Sequence, residues 1–183
     1  MRKRHTAFMA AKRPIPANFS KKCGHTAHMN KLDNFDLLIL RELQKDCRRS
    51  SEQLAEIVAL SPTAVQRRIK RLRDEQVIVA ERATINPKAL GRSLSLLVMV
   101  SFKIGRSDIN AQFKQTMCET PQVLQCYAVT GDYDFALTMS VKDMEEYEAL
   151  THSLFHSNEA IQKFQTMVVM ETIKEGLQIP IEA

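Results

Sequence analysis

The chain has 183 residues, 44% of them hydrophobic, which is enough for one large domain or two small ones with buried cores. Residues 1–90 hold 19 Lys and Arg against 9 Asp and Glu, whereas residues 91–183 hold 7 against 12. No apolar run approaches the roughly 18 residues that span a bilayer, and no signal-like segment lies near the N-terminus, so we expect neither a membrane protein nor a secreted one. The uneven charge predicts a half that binds a polyanion, joined to a half with another role.

The cysteines and histidines predict neither a disulfide framework nor a metal site. No CxxC pair occurs among the four cysteines, which favours a reduced, cytoplasmic setting: Cys23, Cys47, Cys118 and Cys126. The CxHxxH spacing of Cys23, His25 and His28 is weak as a metal motif because it stands alone in a flexible-looking tail. His152 and His156 are four residues apart without a third ligand beside them, so we interpret them as helix-surface or interface histidines.

Residues 1–31 form a basic arm with eight basic residues, no acidic residue and no sustained periodicity, which predicts disorder. Three interpretations stay open: an arm that assists DNA binding, an organellar transit peptide, or an upstream stretch included through a wrong start. The last arises because Met29 begins a plausible chain. A wrong start or a passive tail is the favoured interpretation.

Two helices are predicted next. The first has its apolar positions at helical spacing: Leu32, Phe35, Ile39 and Leu43. Asp33, with Asp36 three residues later, has the spacing of an N-terminal cap. A second helix in "SSEQLAEIV" begins with the capping-box spacing of Ser50 and Gln53. Its predicted buried stripe is Leu54, Ile57 and Val58.

The segment "LSPTAVQRRIKRLRDE", residues 60–75, predicts a third helix. Ser61 is a suitable cap, and Pro62 falls at the first helical position, where its missing N–H costs little. The three-residue connection "ALS" before it makes a helix-turn-helix module of the winged-helix-like, three-helix kind.

One face of this third helix is predicted to meet DNA. Its inner face has three apolar residues that point at the other helices: Val65, Ile69 and Leu72. The opposite face and its flanks are polar or basic: Thr63, Gln66, Arg67, Arg68, Lys70, Arg71 and Arg73. No acidic residue interrupts them before Asp74. This pattern favours a DNA-contacting helix over a basic face that is merely solvated.

After Gly91 the apolar period changes from helical to alternating. "LSLLVMVSFKI" predicts a strand whose one face is Leu94, Leu96, Val98, Val100, Phe102 and Ile104. Asp108 is predicted to cap a helix with the apolar positions Ile109, Phe113 and Met117. Two alternating strands, "VLQCYAVT" and "FALTMSV", are joined at "GDYD". A helix capped by Asp143, with Glu146 three residues on, should bury Met144, Tyr147, Leu150 and Leu154. A last strand is predicted at about 160–174.

The order β-α-β-β-α-β is the ferredoxin-like arrangement, so the predicted fold class is α+β with an N-terminal helix-turn-helix domain. The predicted boundaries are an arm at 1–31, a helix-turn-helix domain at 32–80, a linker at 81–93, a ferredoxin-like domain at 94–175 and a tail at 176–183. Helices on one face leave the other sheet face open, with the candidates Leu97, Met99, Leu124 and Ala136. A second copy is the simplest cover, which predicts a homodimer with recognition helices about 34 Å apart.

Four segments give the chain a resemblance to the leucine-responsive/asparagine-regulator (Lrp/AsnC, feast/famine) family of transcription factors. They are "LDNFDLLILRELQKD", "LAEIVALSPTAVQRRIKRL", "INPKALG" and "VTGDYDFALTMSVKDMEEYEAL". The resemblance covers about residues 32–175. It implies a sequence-specific regulator of double-stranded DNA whose C-terminal domain forms dimers, often octamers, and senses a small molecule, usually an amino acid.

The resemblance also implies an effector pocket between dimers, near Thr130, Gly131, Asp132, Tyr133 and Asp134. Further residues match pocket-lining or assembly positions: Ala128, Met144, Met167, Val168 and Val169. A Gly-containing turn exposes backbone groups that an amino acid's carboxylate and ammonium require, and Asp132 or Asp134 is placed to accept the ammonium. The alternative is an ordinary hairpin turn.

Two positions depart from the family pattern, which often has glycine where Ala59 and Gln76 stand here. Glycine relieves a left-handed backbone at a helix end, so each substitution is expected to cost on the order of 1 kcal/mol. Neither residue lies on the predicted DNA face.

Within that face the predicted roles differ. Thr63, Gln66 and Arg67 are best placed to reach base edges, since Gln pairs with adenine and Arg with guanine. Ser61 and the helix N-terminus are assigned to a phosphate. The remaining cations are assigned mainly to the DNA backbone, where they make affinity salt-sensitive: Arg68, Lys70, Arg71 and Arg73.

An enzyme is not predicted, and neither is a cofactor. Asp132 and Asp134 lie two residues apart with no His, Ser or metal cluster near them, which is poor evidence for acid/base catalysis. The main alternative function is a nucleoid-type architectural protein that binds DNA without sensing an effector. A metabolic enzyme with a fused regulatory domain would need a catalytic constellation that the sequence lacks.

Overall fold

The computed structural model describes residues 31–103, 107–176 and 178–182, and of residues 107–109 the backbone alone. The predicted arm with its CxHxxH motif, and Ile104, lie outside them. The chain forms two compact units: a helical unit that ends at Glu81 and includes residues 178–182, and a sheet unit that begins at Arg82. Within the described residues no helix is long and apolar enough to cross a membrane.

The helical unit consists of α1 (Asn34–Lys45), α2 (Ser51–Val58) and α3 (Pro62–Asp74). The predicted caps of all three helices are confirmed. The Asp33 side chain accepts from the Asp36 N–H at 2.9 Å, and a reciprocal bond completes a capping box. The same box joins Ser50 to Gln53 at the start of α2. Ser61 caps α3, which has Pro62 at its first position.

The core of the helical unit contains the predicted inner residues of α3 and three of the apolar positions predicted for α1 and α2: Val65, Ile69, Leu72, Ile39, Leu54 and Val58. Ala55, which was not predicted, is buried with them, and the predicted Leu32 and Leu43 pack against this core while partly exposed. Two predicted core residues are wrong. Ile57 is 47% exposed because, at about 100° per residue, it lies on the flank of a stripe centred on Leu54, Ala55 and Val58. Phe35 is 39% exposed because its neighbour Asp36 occupies the inner face of α1.

Both positions where the family pattern favours glycine have a left-handed backbone, as predicted. Ala59 ends α2 with φ 54° and ψ 46°, and Gln76 follows α3 with φ 58°. Residues 79–86 then form neither helix nor strand, and a short 3-10 helix at Pro87–Leu90 follows.

The chain end at 178–182 belongs to the helical unit through Gln44. The Gln44 side chain donates to the Ile179 carbonyl at 3.0 Å and accepts from the Ile179 N–H at 2.7 Å. Gln178 in turn donates to the Gln44 carbonyl at 3.2 Å. The predicted tail is therefore held against the C-terminal turn of α1.

The sheet unit confirms the ferredoxin-like order. Its elements are β1 (Leu94–Phe102), α4 (Ser107–Glu119), β2 (Val123–Ala128), β3 (Phe135–Val141), α5 (Met144–Thr151), a π-helical turn (His152–His156) and β4 (Ile161–Val168). The four strands are antiparallel in the order β2-β3-β1-β4. Both α-helices contribute to one core with the buried strand residues, which include Leu96, Val98, Leu137 and Met139.

Three details of the predicted sheet unit are wrong. Strand β4 ends at Val168 rather than near 174, because its partner β1 begins at Leu94 and offers no further ladder. Asp108 lies inside α4, which begins at Ser107, so Asp108 is not its N-cap. Met144 is 52% exposed because it opens α5 within the exposed run 142–145, although Tyr147 and Leu154 are buried as predicted.

The side of the sheet away from the helices is open. Two rows of side chains cross all four strands on this open face: Tyr127, Ala136, Met99 and Gln165 in one, and Gln125, Thr138, Leu97 and Met167 in the other. The prediction for Leu97, Met99 and Ala136 is confirmed. Leu124 falls at a register shift of β2 and is 62% exposed.

Candidate functional site

The outer face of α3 is the first candidate site. The helix buries its three apolar residues, and the residues at the predicted base-reading positions are exposed: Thr63, Gln66 and Arg67. Lys70, predicted to contact the DNA backbone, is exposed as well. Among the described residues neither Arg67 nor Lys70 has an ion-pair partner. Ser61 uses its side chain to cap the Ala64 N–H at 3.2 Å, which leaves the other first-turn N–H groups for a phosphate.

The outer face of α3 is positive because of where the cationic side chains lie, and not because the helical unit has a large net charge. Residues 31–81 hold ten Lys and Arg and nine Asp and Glu, which nearly cancel. Five of those ten cations lie on α3, and the acidic residues of α1 approach α3 from its inner side. The outward side therefore presents cations without adjacent carboxylates, which is the pattern that a DNA backbone attracts.

Three of the seven predicted contact residues on α3 are held by carboxylates of the same unit. Arg68 Nη1 lies 2.8 Å from Asp33 Oδ2 and 2.8 Å from Asp36 Oδ1. Arg71 Nη2 lies 2.5 Å from Asp36 Oδ2. Arg73 Nη2 lies 2.7 Å from a carboxylate oxygen of Glu81. Their DNA contacts stay predictions, and the sequence pattern gave no signal of these long-range partners.

Two carboxyl groups of the helical unit have lowered pKa values. The hydrogen bond from the Asp36 backbone N–H, with help from the Arg68 guanidinium, lowers the pKa of the exposed Asp33. Glu42, a buried carboxylate of α1, has its pKa lowered by the Lys45 ammonium at 2.6 Å and by Arg49 at 2.5 Å. Both carboxyl groups are therefore ionised at neutral pH.

The second candidate site is the loop at 129–134, between β2 and β3. Gly131 has φ 112°, a conformation that favours glycine, and the loop closes through a bond from the Val129 N–H to the Asp134 carbonyl at 2.9 Å. Asp134 Oδ2 also accepts from the Phe102 N–H at 2.7 Å. Asp132 is exposed, and its carboxylate has no partner among the described residues.

Residues of the neighbouring strands hold this loop, and the sequence did not predict them. Ser101 donates to the Asp132 carbonyl at 3.0 Å. The Tyr133 hydroxyl donates to Gln165 at 2.5 Å, and Lys163 Nζ lies 4.9 Å above the Tyr133 ring. These contacts depend on the pairing of β1 with β4, which local alternation does not encode.

The residues predicted to line the effector pocket lie at different distances from the loop along the sheet. The loop precedes the first residue of β3, and Ala128 pairs with that residue, Phe135. Met144 follows the other end of β3, a seven-residue strand that is roughly 23 Å long. Met167 pairs with Leu97, which in turn pairs with Thr138 at the middle of β3, and Val168 and Val169 follow in the direction away from the loop. One chain therefore does not bring Met144 to the loop.

Other reactive groups form no comparable site. His152 and His156 are exposed, with ring centroids 6.3 Å apart. Within the described ranges, no three His, Cys, Asp or Glu residues are grouped to hold a metal ion. The cysteines in those ranges are free thiols, and burial raises the pKa of Cys126 to about 11.

Two family models match the two units in order. The AsnC-type helix-turn-helix domain matches residues 32–73, and the Lrp/AsnC ligand binding domain matches residues 95–179. Together these ranges cover more than half of the chain.

Individual relatives agree with these matches. A helix-turn-helix-type transcriptional regulator of Sinorhizobium fredii is 48% identical over 151 residues, which cover 82% of this chain and 89% of the relative. The leucine-responsive regulatory protein of Escherichia coli is 34% identical over 151 residues, with 82% and 92% covered. A Neisseria meningitidis transcriptional regulator, solved as a complex with L-Met, has a TM-score of 0.77 at 30% identity and covers 82% of this chain and 97% of that one.

Proposed function

This chain belongs to the Lrp/AsnC family of helix-turn-helix transcriptional regulators, and on that premise we propose that it binds specific sites on double-stranded DNA as a two-fold dimer and responds to an amino acid. The α3 helices contact the DNA. The open face of the sheet joins two copies, and higher assembly brings sheets from different dimers together. The loop at 129–134 contributes to the effector pocket. The site of action is the cytoplasm, where a regulator meets its DNA.

The observation that carries the DNA proposal is the exposed row Thr63, Gln66, Arg67 and Lys70 on the outer face of α3. These four residues lie within two turns of the helix N-terminus. Gln66 and Arg67 have the donor and acceptor sets that read adenine and guanine in the major groove. Lys70, one turn further, supplies a phosphate contact. The same row supports binding to DNA but gives no enzyme chemistry.

The open face supports the dimer. Leu97, Met167 and Tyr127 are 39%, 40% and 52% exposed, and they lie in two continuous rows across the sheet. The apolar members of these rows lie together beside uncharged polar residues, and an exposed apolar patch with a polar surround is typical of a protein interface. A second copy covers them symmetrically, because a two-fold axis lets each row pack against its equivalent.

The loop at 129–134 supports an amino-acid effector. It offers backbone groups around Gly131 for a carboxylate and the free carboxylate of Asp132 for an ammonium. Asp134 is less suited, because one of its oxygens is already used by the Phe102 N–H. Met144, at the other end of the sheet, would reach the pocket from a neighbouring copy. The L-Met complex of the Neisseria meningitidis relative supports an amino acid as ligand class.

The test is a titration of a fluorescent duplex from the protein's own upstream region, at fixed salt, alone and with each of the twenty amino acids. A scrambled duplex of equal length is the control. We expect tighter binding to the upstream duplex and a change of affinity with one amino acid or a small set.

Two other results would redirect the proposal. Equal affinity for both duplexes, unaffected by any amino acid, would favour the architectural DNA-binding alternative. Absence of binding to either duplex would contradict the DNA proposal itself.

A further inference from the structure

The first turn of α1 holds two arginines of α3. Its capping box places the carboxylates of Asp33 and Asp36 side by side, through reciprocal bonds of 2.9 and 3.2 Å to each other's N–H groups. Arg68 bridges both carboxylates with one nitrogen, and its guanidinium lies 5.5 Å from the centroid of the Phe35 ring. Arg71 takes the remaining oxygen of Asp36. The carboxylates that form the N-terminal cap of α1 therefore also bind two cationic side chains of α3.

Arg68 and Arg71 are more buried than their polar neighbours on α3. The Asp36 side chain is 1% exposed, and the Arg68 and Arg71 side chains are 21% and 38% exposed, whereas Arg67 and Lys70 lie in water. A buried carboxylate is tolerated only while it is paired. For Arg68 or Arg71 to turn toward a DNA phosphate, Asp36 would lose one of its two arginine partners, and its buried charge would be only partly compensated.

We propose that Asp36 is a positioning residue for DNA recognition. It anchors Arg68 and Arg71 to α1, which fixes the rotation of α3 about its axis and directs Thr63, Gln66, Arg67 and Lys70 outward. It also removes two of the five α3 cations from contact with DNA. This inference rests on the proposed function, because it assigns the roles of residues within the same DNA-binding helix.

The geometry explains why the rotation of α3 depends on this anchor. Arg68 and Arg71 are three residues apart and therefore lie on one side of the helix. Both reach the same carboxylate, so a rotation of α3 would have to break both contacts together. Arg67 is four residues before Arg71 and one before Arg68, so its direction is set by the same two contacts.

The first experiment compares charge-removing variants by two measurements, the slope of log K against log salt on the upstream duplex and the thermal midpoint of the helical unit. Lys70→Gln should reduce the slope by about 0.9 for every recognition helix on the DNA and leave the midpoint unchanged. Arg68→Gln and Arg71→Gln should leave the slope unchanged and lower the midpoint by about 10 °C, since they uncover a buried charge.

The second experiment separates positioning from simple stabilisation. Asp36→Asn keeps the shape of the side chain but removes its charge, and Glu42→Gln does the same at the other buried carboxylate of α1, which pairs with Lys45 and Arg49 rather than with α3. Both variants should lower the thermal midpoint. At a temperature where both are folded, Asp36→Asn should reduce the affinity ratio between upstream and scrambled duplexes at least fivefold, whereas Glu42→Gln should preserve it.

Specific results would overturn the inference. One is a slope that falls as much for Arg71→Gln as for Lys70→Gln with the midpoint unchanged. Another is an Asp36→Asn protein that keeps its full affinity ratio. If Arg71→Gln does not fold, Arg68→Gln, which leaves Arg71 paired with Asp36, gives the same test of the slope. A wild-type chain without salt-dependent binding would contradict the proposed function instead, and the midpoints would still test the anchor.

Discussion

The two units differ in the kind of polar residue that they bury. In the helical unit two carboxylates are nearly inaccessible, Asp36 at 1% and Glu42 at 6% exposure, and each is neutralised by two or more cations. Among the described residues of the sheet unit the buried polar ones are the uncharged Ser101, Ser140 and Thr151, and the rows on its open face mix apolar residues with uncharged polar ones.

This difference separates two kinds of surface. The small helical unit has a limited apolar core, so ion pairs between its helices also hold it together. Only some of its cationic side chains are therefore exposed without an ion-pair partner. The sheet unit has a larger apolar core and an uncovered second face, so it is suited to pairing with another copy. We propose that the helical unit binds a polyanion and that the sheet unit binds a second copy of the chain.

The strongest way to test this division is to open a cavity in each unit separately. Phe113 in α4 is 2% exposed and packs on Phe135 with ring centroids 4.9 Å apart, and Leu72 in α3 is fully buried. We expect Phe113→Ala to reduce the unfolding free energy of the sheet unit by about 3–5 kcal/mol and Leu72→Ala to reduce that of the helical unit by about 2–5 kcal/mol. Denaturant unfolding and calorimetry measure the change in unfolding free energy of each unit. Equal loss in both units from either variant would show that they do not fold separately.

A smaller effect is expected from the effector loop. Asp132→Ala removes the free carboxylate proposed to bind an ammonium and should weaken amino-acid binding about tenfold or more, since hydrogen bonds to charged groups contribute roughly 1.5–3 kcal/mol. DNA affinity without amino acid should stay unchanged. Isothermal titration calorimetry measures the first quantity, with Glu148→Ala on α5 as a matched carboxylate control. Full effector affinity in Asp132→Ala would remove this residue from the pocket.

The two left-handed positions of the helical unit offer a gain in stability. Ala59→Gly and Gln76→Gly should each stabilise this unit by about 1 kcal/mol, because glycine adopts a positive φ without the steric cost that a Cβ brings. The control is Ala64→Gly in the interior of α3, which should destabilise by about 0.5–1 kcal/mol. Thermal unfolding compares the three. Destabilisation by both turn variants would contradict the strain argument.

The smallest expected effect distinguishes the thiols of the two units. Burial raises the pKa of Cys126 in β2 from 9.0 to about 11, so its thiolate fraction near pH 8 should be roughly 100-fold below that of an ordinary thiol. Cys47, after α1, is exposed. Iodoacetamide labelling followed by peptide mass spectrometry should therefore modify Cys47 long before Cys126. Equal labelling rates in the folded protein would contradict this burial.

Local signals in the sequence predicted much of the fold. The helix caps follow from acceptor residues three positions apart, and the left-handed backbone at Ala59 and Gln76 follows from the family pattern. Strict alternation in β1 predicted that Leu96 and Leu97 lie on opposite faces of the sheet, although it did not determine which face the helices cover. Each of these features depends on neighbours within a few residues.

Features that depend on distant partners were not predictable in this way. The pairing of Arg68 with Asp36 joins residues 32 positions apart, so a basic helix face does not reveal which of its cations are free. Strand β4 ends near the residue at which its antiparallel partner β1 begins, and Met144 is exposed because of its place at a helix start. Ile57 shows the same limit, because helical spacing alone does not locate the centre of the buried stripe.

The central claim is that exposed cations of α3 read DNA while the sheet unit serves assembly and sensing. The most direct measurement is the affinity of Arg67→Ala for the upstream duplex at fixed salt, beside Lys142→Ala, which removes an exposed cation of the sheet unit. The account predicts a loss of about 1–3 kcal/mol, or roughly 5–150-fold, for Arg67→Ala and no loss for Lys142→Ala. Unchanged affinity in Arg67→Ala, or an equal loss in both variants, would contradict it.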